Sequence, residues 1–321
     1  MATTKQRVLA ALLAHQAEWQ SGDGVAQDLG ISRESVWKAI TALRKAGYQI
    51  DARKSQGYRY VDNGHLDAEA IAFYRHTPTY LEVVAEATST QDAAKQWLAE
   101  QTLPERAVFV ADHQTAGYGR RGRAFYSPAA TGLYLSVVLP NDSEELSHVG
   151  LLTTGVATAV VKVLQRFYPQ VDFGLKWVND IVLAGQKVGG ILCEAVLALE
   201  SATAPAFVVG IGLNLATATF PPDLAPIAGK ISEASVNRNQ LAAAICEAVW
   251  ALAAHYRDGA FLADYRALST VVAKRVTLAV GQREVTGRVQ GIADNGGLRL
   301  QTAQGEEVYT SGEVTKVQVD A

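Results

Sequence analysis

The first 64 residues repeat apolar side chains at helical spacing. Val8, Leu9, Leu12 and Leu13 fall on one face of such a helix. A face of this kind is typical of an amphipathic helix that buries one side. The pattern therefore predicts a helical start to an N-terminal domain of residues 1–64.

Two shorter helical patterns follow, separated by a glycine. Ser21 or Asp23 can start the first, and Gly30 suits a left-handed residue at its end. Ser32 is placed to cap the next helix. Two short helices joined by a glycine-containing turn predict a helix-turn-helix. The inward positions of the second helix are Val36, Ile40 and Leu43.

The next segment predicts a hairpin with the strands "YQIDA" and "YRYVD" and a basic turn at 53–57. Beside a recognition helix, such a turn forms a wing that can meet the DNA backbone. A small helical domain with solvated charges is the competing interpretation, and Trp37 could be either a core residue or a DNA-facing one. The residues predicted to contact DNA are Arg33, Ser35, Trp37, Lys38, Arg53 and Lys54.

Residues 65–270 mix strands and helices without regular alternation. This order favours a mixed α+β domain over a doubly wound sheet. The predicted helices are "STQDAAKQWLAE", "VGLLTTGVATAVVKVLQRFYP" and a helical pair across 237–269. The predicted strands are "RAVFVADHQ", "GLYLSVVLP", "DFGLKWVND", "KVGGILCEAVLAL" and "AFVVGIGLNLA".

Residues 271–321 form short alternating runs with turn signals at Asn295-Gly296 and Gln304-Gly305. About 50 residues of short strands predict a small SH3-like β-barrel. The whole chain is thus expected to be an α+β protein of three domains.

Composition changes this picture in one respect. Among 321 residues with a formal charge of −3, residues 1–62 hold nine Lys/Arg and six Asp/Glu, giving +3, and the remainder gives −6. Only the N-terminal domain is therefore expected to meet nucleic acid.

Two distant cysteines exclude a disulfide framework and suit the cytoplasm. No apolar run is long enough for a membrane helix.

The segment "QTAGYGRRGRAFYS" concentrates glycines and arginines. Glycines let backbone N–H groups approach an anion, and guanidinium groups fit phosphate or carboxylate oxygens. The segment lacks the P-loop pattern GxxxxGK[ST]. By itself the segment does not show which anion it binds: the DNA backbone, a nucleotide phosphate or a carboxylate.

Three further stretches carry polar residues at strand or helix ends. Each stretch also has a purely structural interpretation. Ser89 and Thr90 could cap a helix, Asp180 could start a turn, and Gly210 and Gly212 could serve strand packing. The stretches are "ATSTQD" with Ser89 and Thr90, "KWVNDIVLAGQKVGG" with Lys176, Asn179, Asp180 and Lys187, and "GIGLN" with Gly210, Gly212 and Asn214.

The ordered motifs "QTAGYGRRGRAFYSP", "KWVND", "KVGGIL" and "GIGLN" resemble biotin protein ligases. The N-terminal domain makes the chain similar to the bifunctional members, which also repress biotin synthesis genes. The resemblance implies a catalytic domain like that of class II aminoacyl-tRNA synthetases. It also implies formation of biotinyl-5′-AMP from biotin and ATP with Mg²⁺, and transfer of biotin to a lysine of a carrier protein.

The resemblance implies a role for each matching residue. It makes Lys187 and Arg120 catalytic and Asp180 a Mg²⁺ ligand. The implied biotin contacts are Ser89, Thr90, Gln114, Gly117, Arg120, Lys187, Gly190, Gly210 and Gly212. The implied ATP and adenylate contacts are Arg121, Arg123, Phe125, Lys176, Asn179 and Asn214.

Three positions depart from the common pattern of that family. Tyr118 replaces a basic residue, Phe125 a tryptophan and Val178 a proline. The expected partners are the biotin carboxyl carrier protein of acetyl-CoA carboxylase or pyruvate carboxylase, operator DNA and a second copy of the chain when biotinyl-5′-AMP is bound as corepressor. A repressor without ligase activity, a lipoate or octanoate ligase and a simple nucleic-acid-binding protein are the alternatives.

Overall fold

The computed structural model describes residues 2–62, 64–141, 149–196, 206–234 and 236–318. It divides into two compact units, residues 1–78 with 235–243, and residues 79–234 with 244–321. The boundaries at 64/65 and 270/271 remain predictions. Within the described residues, no helix is both long and apolar enough to cross a membrane.

The first unit contains the predicted helix-turn-helix and wing. Ser21 and Ser32 cap their helices, and Gly30 has the left-handed φ of 62° expected at a helix end. The strands of the wing pair in antiparallel register, with Ile50 opposite Tyr60. Its elements are α1 (Thr4–Ala14), α2 (Gly22–Leu29), α3 (Arg33–Lys45), β1 (Gln49–Arg53), β2 (Gly57–Val61) and α4 (Ala68–Tyr74).

One core holds this unit together. The side chains predicted to face inward, including Leu12 and Leu43, are buried and pack with Tyr48 and Tyr60. Trp37 is 57% exposed, which excludes it from this core and leaves it on the outer face of α3. The helix α4 was not predicted from the sequence.

The second unit is built around a mixed seven-stranded sheet, which confirms the predicted α+β class. Its first elements are β3 (Tyr80–Ala87), α5 (Thr90–Ala99), β4 (Ala107–Gln114), β5 (Leu133–Pro140) and α6 (Val149–Phe167). The next are β6 (Gly174–Lys176), β7 (Asp180–Leu183), β8 (Gln186–Val196) and β9 (Ala206–Leu213). The strand order is β3-β4-β5-β9-β8-β7-β6, and only β3 and β4 pair in parallel.

Two sequence predictions for this sheet need correction. The edge strand β3 was missed because its polar and apolar residues alternate irregularly. The stretch 172–180, predicted as one strand, is two strands, because the chain turns between Lys176 and Asp180 and these residues pair with each other. The last three residues of the strand predicted at 187–199 lie outside the described residues.

The remaining elements are α7 (Arg238–Ala253), α8 (Leu262–Leu268), β10 (Arg275–Val280), β11 (Arg283–Ile292), β12 (Leu298–Thr302), β13 (Gly305–Tyr309) and β14 (Glu313–Gln318). The last five strands form an antiparallel sheet in the order β13-β12-β11-β10-β14, as expected for the small C-terminal domain. Gly296 and Gly305 have positive φ at the two predicted turns. The Trp177 indole donates to the Gly296 carbonyl at 2.9 Å and so links the turn between β11 and β12 to the turn between β6 and β7.

Replacing Leu43, which is fully buried in the first unit, tests this packing. We expect Leu43→Ala to lower the free energy of unfolding of that unit by about 2–5 kcal/mol, because a cavity replaces well-packed atoms. Urea denaturation measures the change. Leu103→Ala, at a position 75% exposed, is the control and should change stability little. Equal losses in the two variants would contradict the assigned core.

Candidate functional site

A cavity of about 620 Å³ opens in the second unit, at the ends of several strands of its large sheet. It collects segments that lie far apart in the sequence. Of the residues predicted to bind biotin, ATP or Mg²⁺, those that line it are Ser89, Thr90, Gln114, Arg120, Arg121, Arg123, Phe125, Lys176, Asn179, Asp180, Lys187, Gly190, Gly210, Gly212 and Asn214.

Gly117 is the predicted residue that does not line this cavity. A Cβ atom at this position would lie 2.7 Å from the Gln114 Nε2 and 2.8 Å from the Ser127 Oγ. The glycine is therefore required by close packing inside its own loop. Its role as a biotin contact remains a prediction.

The segment Gln114–Ser127, here called the arginine loop, folds as a narrow hairpin. Backbone bonds join Gln114 to Ser127, Phe125 to Gly117 and Gly119 to Arg123. The chain reverses in a short turn at Arg120–Gly122. Arg121 has a φ of 60°, a left-handed conformation that costs energy for a residue with a side chain. The loop thus presents three guanidinium groups from one tight reversal.

The guanidinium groups of this loop reach the start of β14. Arg120 Nη1 donates to the Gly312 carbonyl at 2.9 Å, and Arg123 forms an ion pair with Glu313. Arg121 Nη1 lies 3.9 Å from the second oxygen of Glu313. Burial lowers the pKa of Arg120 from its ordinary value, and the positive charge of Arg121 lowers it further. Arginine remains charged under such shifts, so the loop keeps a dense positive charge beside the cavity.

Lys187 lines the same cavity and is the second residue of β8. Its Nζ is 2.6 Å from Asp180 Oδ1. The Lys187 backbone N–H donates to the Ile227 carbonyl at 2.8 Å, which fixes the base of the side chain. A Cβ at Gly190 would lie 3.2 Å from Lys187 Nζ, so the bare glycine leaves room for the ammonium group.

Hydrogen-bonded side chains form one wall of the cavity. Gln114 Oε1 accepts from the Thr90 backbone N–H at 2.9 Å and from its hydroxyl at 3.2 Å. The Thr90 and Ser136 hydroxyls are 2.9 Å apart, and Ser136 donates to Gln91 Oε1 at 3.0 Å. Ser89 also caps α5, because its hydroxyl accepts from the Gln91 N–H. The structural and functional interpretations of Ser89 are therefore compatible.

Gln91 and Ser136 line the cavity but were missed in the sequence. Ser136 had a usable signal in the sequence, since it is a serine within the apolar run "LYLSVVLP", and the structure shows it to be fully buried. Gln91 had none beyond its place next to Thr90. Both belong to the same network, so this wall contains more fixed polar groups than the motifs alone indicated.

The two glycines of β9 accommodate neighbouring side chains. A Cβ at Gly210 would lie 2.6 Å from Gln91 Oε1, and one at Gly212 would lie 2.6 Å from the Phe125 ring. Phe125 in turn meets Tyr134 edge-on, with ring centroids 6.3 Å apart. Strand packing thus accounts for both glycines, while Phe125 provides an aromatic surface in the cavity.

Asn214 has a buried oxygen without a protein partner among the described residues. The side chain is 4% exposed, its Nδ2 donates to the Gly229 carbonyl at 3.1 Å, and its Oδ1 accepts no hydrogen bond. A buried acceptor without a donor is costly and needs an explanation. Because Asn214 lines the cavity, a donor group on a bound ligand would satisfy it.

Asn179 and Asp180, the other polar residues near Lys187, both have hydrogen-bonding partners within the protein. Asn179 Nδ2 donates to the Ile191 carbonyl at 3.0 Å and supports β8. Asp180 is bonded to Lys187 through one oxygen. Across the described part of the chain, no three His, Cys, Asp or Glu side chains form a cluster that could hold a metal ion. A divalent ion here would depend on ligand oxygens as well as on protein carboxylates.

The first unit carries the candidate DNA-binding residues on its outer surface. Arg33 and Lys38 are exposed on α3 and pair with Asp23 and Glu34. The Ser35 hydroxyl is 2.9 Å from that of Ser32. In the wing, Arg53 and Lys54 are exposed, and the Arg53 guanidinium lies 4.8 Å from the centre of the Trp19 ring. Arg59 stacks on the same ring at 4.8 Å, which stiffens the base of the wing.

Three family models match separate parts of the chain. The biotin/lipoate A/B protein ligase family matches residues 83–214, the biotin protein ligase C-terminal domain residues 274–317, and a helix-turn-helix domain residues 4–59. These matches cover most of the cavity, the five-stranded sheet and the candidate DNA interface in turn.

Similar proteins span nearly the whole chain. The bifunctional ligase/repressor BirA of Bacillus spizizenii is 32% identical over 92% of this chain and 93% of its own length. The biotin–[acetyl-CoA-carboxylase] ligase of Mycobacterium tuberculosis is 31% identical over 73% of this chain and 88% of its own.

A solved structure agrees with these relatives. The biotin protein ligase from Aquifex aeolicus in complex with biotin and ATP superposes with a TM-score of 0.63 and 25% identity, covering 76% of this chain and 100% of that one. Together with the matches above, this similarity shows that the chain belongs to the family of biotin protein ligases, and to its bifunctional ligase/repressor members.

Proposed function

We propose that the chain is an ATP-dependent biotin protein ligase and a biotin-responsive transcriptional repressor. The observation that carries the ligase function is the cavity, where Lys187 and three arginines adjoin a wall of fixed hydrogen-bonding groups. Family membership makes biotin and ATP the substrates that fit it. The repressor function rests on the helix-turn-helix unit and on the bifunctional relatives.

The first reaction joins two anions. An oxygen of the biotin carboxylate attacks the α-phosphorus of ATP, the bond to the bridging oxygen of pyrophosphate breaks, and biotinyl-5′-AMP forms. Two negative unit charges about 4 Å apart repel each other by about 4 kcal/mol at an effective dielectric constant of about 20. Cations must therefore offset this repulsion energy. Lys187 and Arg120 are the proposed catalytic residues because both bring positive charge to the cavity.

The hydrogen-bonding wall is the proposed site for the biotin ring. Ser89, Thr90 and Gln114 offer neutral donors and acceptors, as a ureido group requires. Thr90 and Gln114 already bond each other, and Ser89 is held as the cap of α5, so little side-chain freedom is lost on binding. Gly117, Gly190, Gly210 and Gly212 complete the proposed biotin site.

The nucleotide is proposed to bind beside Asn214 and Phe125. The unpartnered Oδ1 of Asn214 can accept from an amino or hydroxyl group of ATP, and the Phe125 ring offers a stacking surface. The proposed phosphate contacts are Arg121, Arg123, Lys176 and Asn179.

Mg²⁺ is proposed to be carried by ATP, with Asp180 as its protein ligand. Mg²⁺ is usually held by one or two carboxylates together with substrate phosphates, and Asp180, which pairs with Lys187 through one oxygen, has a second oxygen to offer the ion. When bound, the ion would neutralise phosphate charge.

The second reaction transfers biotin from the adenylate to a lysine. The deprotonated amine of a biotin carboxyl carrier protein, from acetyl-CoA carboxylase or pyruvate carboxylase, attacks the biotinyl carbonyl and AMP leaves. The mixed anhydride is already activated, so the enzyme must mainly position the lysine and exclude water. These substrates favour a cytoplasmic location.

The regulatory function links the two units through the ligand. Biotinyl-5′-AMP is the proposed corepressor, and its binding is proposed to favour a homodimer that places two helix-turn-helix units on a palindromic operator. A ligand shifts such an equilibrium only by binding one state more tightly, so operator affinity should depend on biotin and ATP.

The catalytic assignment predicts a loss of ligase activity in Lys187→Ala. We expect the initial rate to fall by about 10²–10³-fold, since a cation that stabilises developing charge is removed. The assay is the mass gain of a carrier domain mixed with enzyme, biotin, ATP and Mg²⁺. Lys162→Ala, which removes an exposed lysine paired with Asp264, is the control and should keep its activity. A Lys187→Ala enzyme as active as this control would contradict the assignment.

The nucleotide assignment predicts weaker ATP binding in Asn214→Ala. The Kd for a non-hydrolysable ATP analogue should rise about tenfold, because one hydrogen bond to a buried acceptor is lost. Isothermal titration calorimetry measures it, and biotin titrated into the same variant should bind as in the wild type. An unchanged Kd for the analogue would place the nucleotide elsewhere.

The DNA assignment predicts different effects for two exposed residues. Lys54→Ala should weaken binding to all sequences and reduce the slope of log K against log salt by about 1, as expected for a lost phosphate contact. Trp37→Ala should cost about 1–3 kcal/mol on the selected operator and little on random DNA, because α3 reads bases. Fluorescence anisotropy at several salt concentrations separates these results. Wild-type affinity in both variants would disprove this interface.

A further inference from the structure

A second polar cluster lies where the arginine loop meets α5. The Tyr118 hydroxyl is 2.7 Å from Lys95 Nζ and donates to Asp92 Oδ1 at 2.7 Å. Lys95 Nζ also donates to Glu194 Oε2 at 3.2 Å. This cluster, here called the α5 anchor, consists of Asp92, Lys95, Tyr118 and Glu194. It joins three segments that are separate in the sequence.

Tyr118 is the member of the α5 anchor that belongs to the arginine loop. It pairs with Ala124 across the hairpin and stands two residues before Arg120. Its side chain lines the cavity, whereas its hydroxyl points to α5. Fixing this hydroxyl therefore fixes one side of the hairpin that carries the three arginines.

The charges of the anchor suit a bond that persists at neutral pH. Burial raises the pKa of Tyr118 to about 12, with Lys95 opposing the rise and Asp92 adding to it. Burial lowers the pKa of Lys95, but its hydrogen bonds to Tyr118 and Glu194 outweigh this and raise it overall. A neutral phenol thus bonds a charged amine and a carboxylate, and charge-assisted bonds of this kind are stronger than neutral ones.

The anchor complements the contacts at the tip of the loop. There, Arg120 and Arg123 bond the Gly312 carbonyl and the Glu313 carboxylate. These are the same guanidinium groups that are proposed to face ligand anions, so contact with a ligand can compete with the tip contacts. Tyr118 carries no charge to offer an anion, so its attachment to α5 can remain while the arginines change partners.

We propose that Tyr118 is a positioning residue, which Lys95 and Asp92 hold against α5 so that the arginine loop stays over the cavity and retains the acyl adenylate. This inference rests on the proposed ligase function for its chemistry. It does not rest on that function for the anchoring itself, which consists of contacts between protein side chains. The two parts can therefore be tested separately.

The first test measures the loop without ligand. Hydrogen–deuterium exchange followed by mass spectrometry reports on the peptide that covers residues 117–124. In Tyr118→Phe, which keeps the ring and removes the hydroxyl, exchange of this peptide should speed up on the order of tenfold, as expected for a lost charge-assisted bond. Tyr80→Phe, which removes an exposed hydroxyl that bonds Glu82, is the matched control and should leave the peptide unchanged. Wild-type exchange in Tyr118→Phe would overturn the anchor.

The second test measures retention of the adenylate. Enzyme is loaded with labelled biotin and ATP and is then diluted into excess unlabelled biotin. Loss of the labelled adenylate from the enzyme is followed over time. Tyr118→Phe and Lys95→Met should each release it about tenfold faster. The double variant should be no faster than Tyr118→Phe alone, since that variant already removes the bond to Lys95 together with the bond to Asp92. Lys95→Arg should restore much of the retention.

The results separate the two proposals. If the wild type forms no adenylate, the ligase function fails while the exchange test still decides the anchor. If adenylate forms and both variants retain it as the wild type does, the role of Tyr118 is wrong. If Tyr118→Phe does not fold, Lys95→Met gives the same decision by both measurements.

Discussion

The site depends on holding several positive charges close together in one cavity. Lys187 is neutralised by Asp180, and the guanidinium groups of the arginine loop are met by the Gly312 carbonyl and by Glu313. Positive charges that lie this close to one another repel, so these partners lower the cost of keeping the cations together. Strands β7 and β14 matter to the site because they begin with the two partner carboxylates, Asp180 and Glu313.

The second feature of the site is a wall that is already organised. Thr90, Gln114, Ser136 and Gln91 bond one another, and Gly210 leaves the space that Gln91 needs. A satisfied network of this kind is rigid, whereas the arginine loop is a hairpin held by side-chain contacts at its tip and flank. The structure therefore combines a fixed wall for a neutral group with a loop that can change partners around anions.

Much of this architecture could be predicted from the sequence because the signals were local. The caps at Ser21 and Ser32 and the helical spacing around Leu43 specify the first unit residue by residue. The pairing of the arginine loop with Glu313 could not be predicted, since 190 residues separate Arg123 from its partner. The same holds for the unpartnered oxygen of Asn214 and for Gln91, whose environments exist only after the strands assemble. Strand β3 was missed because an edge strand need not alternate cleanly.

Extraction of the intermediate tests the central claim most directly. The wild-type protein is incubated with biotin, ATP and Mg²⁺ in the absence of any carrier protein, and released pyrophosphate and enzyme-bound small molecules are measured, the latter by mass spectrometry. The account predicts one biotinyl-5′-AMP per chain and pyrophosphate release that requires biotin. Pyrophosphate release independent of biotin, or bound biotin and ATP without any adenylate, would contradict the claim that this cavity brings the two anions together for reaction.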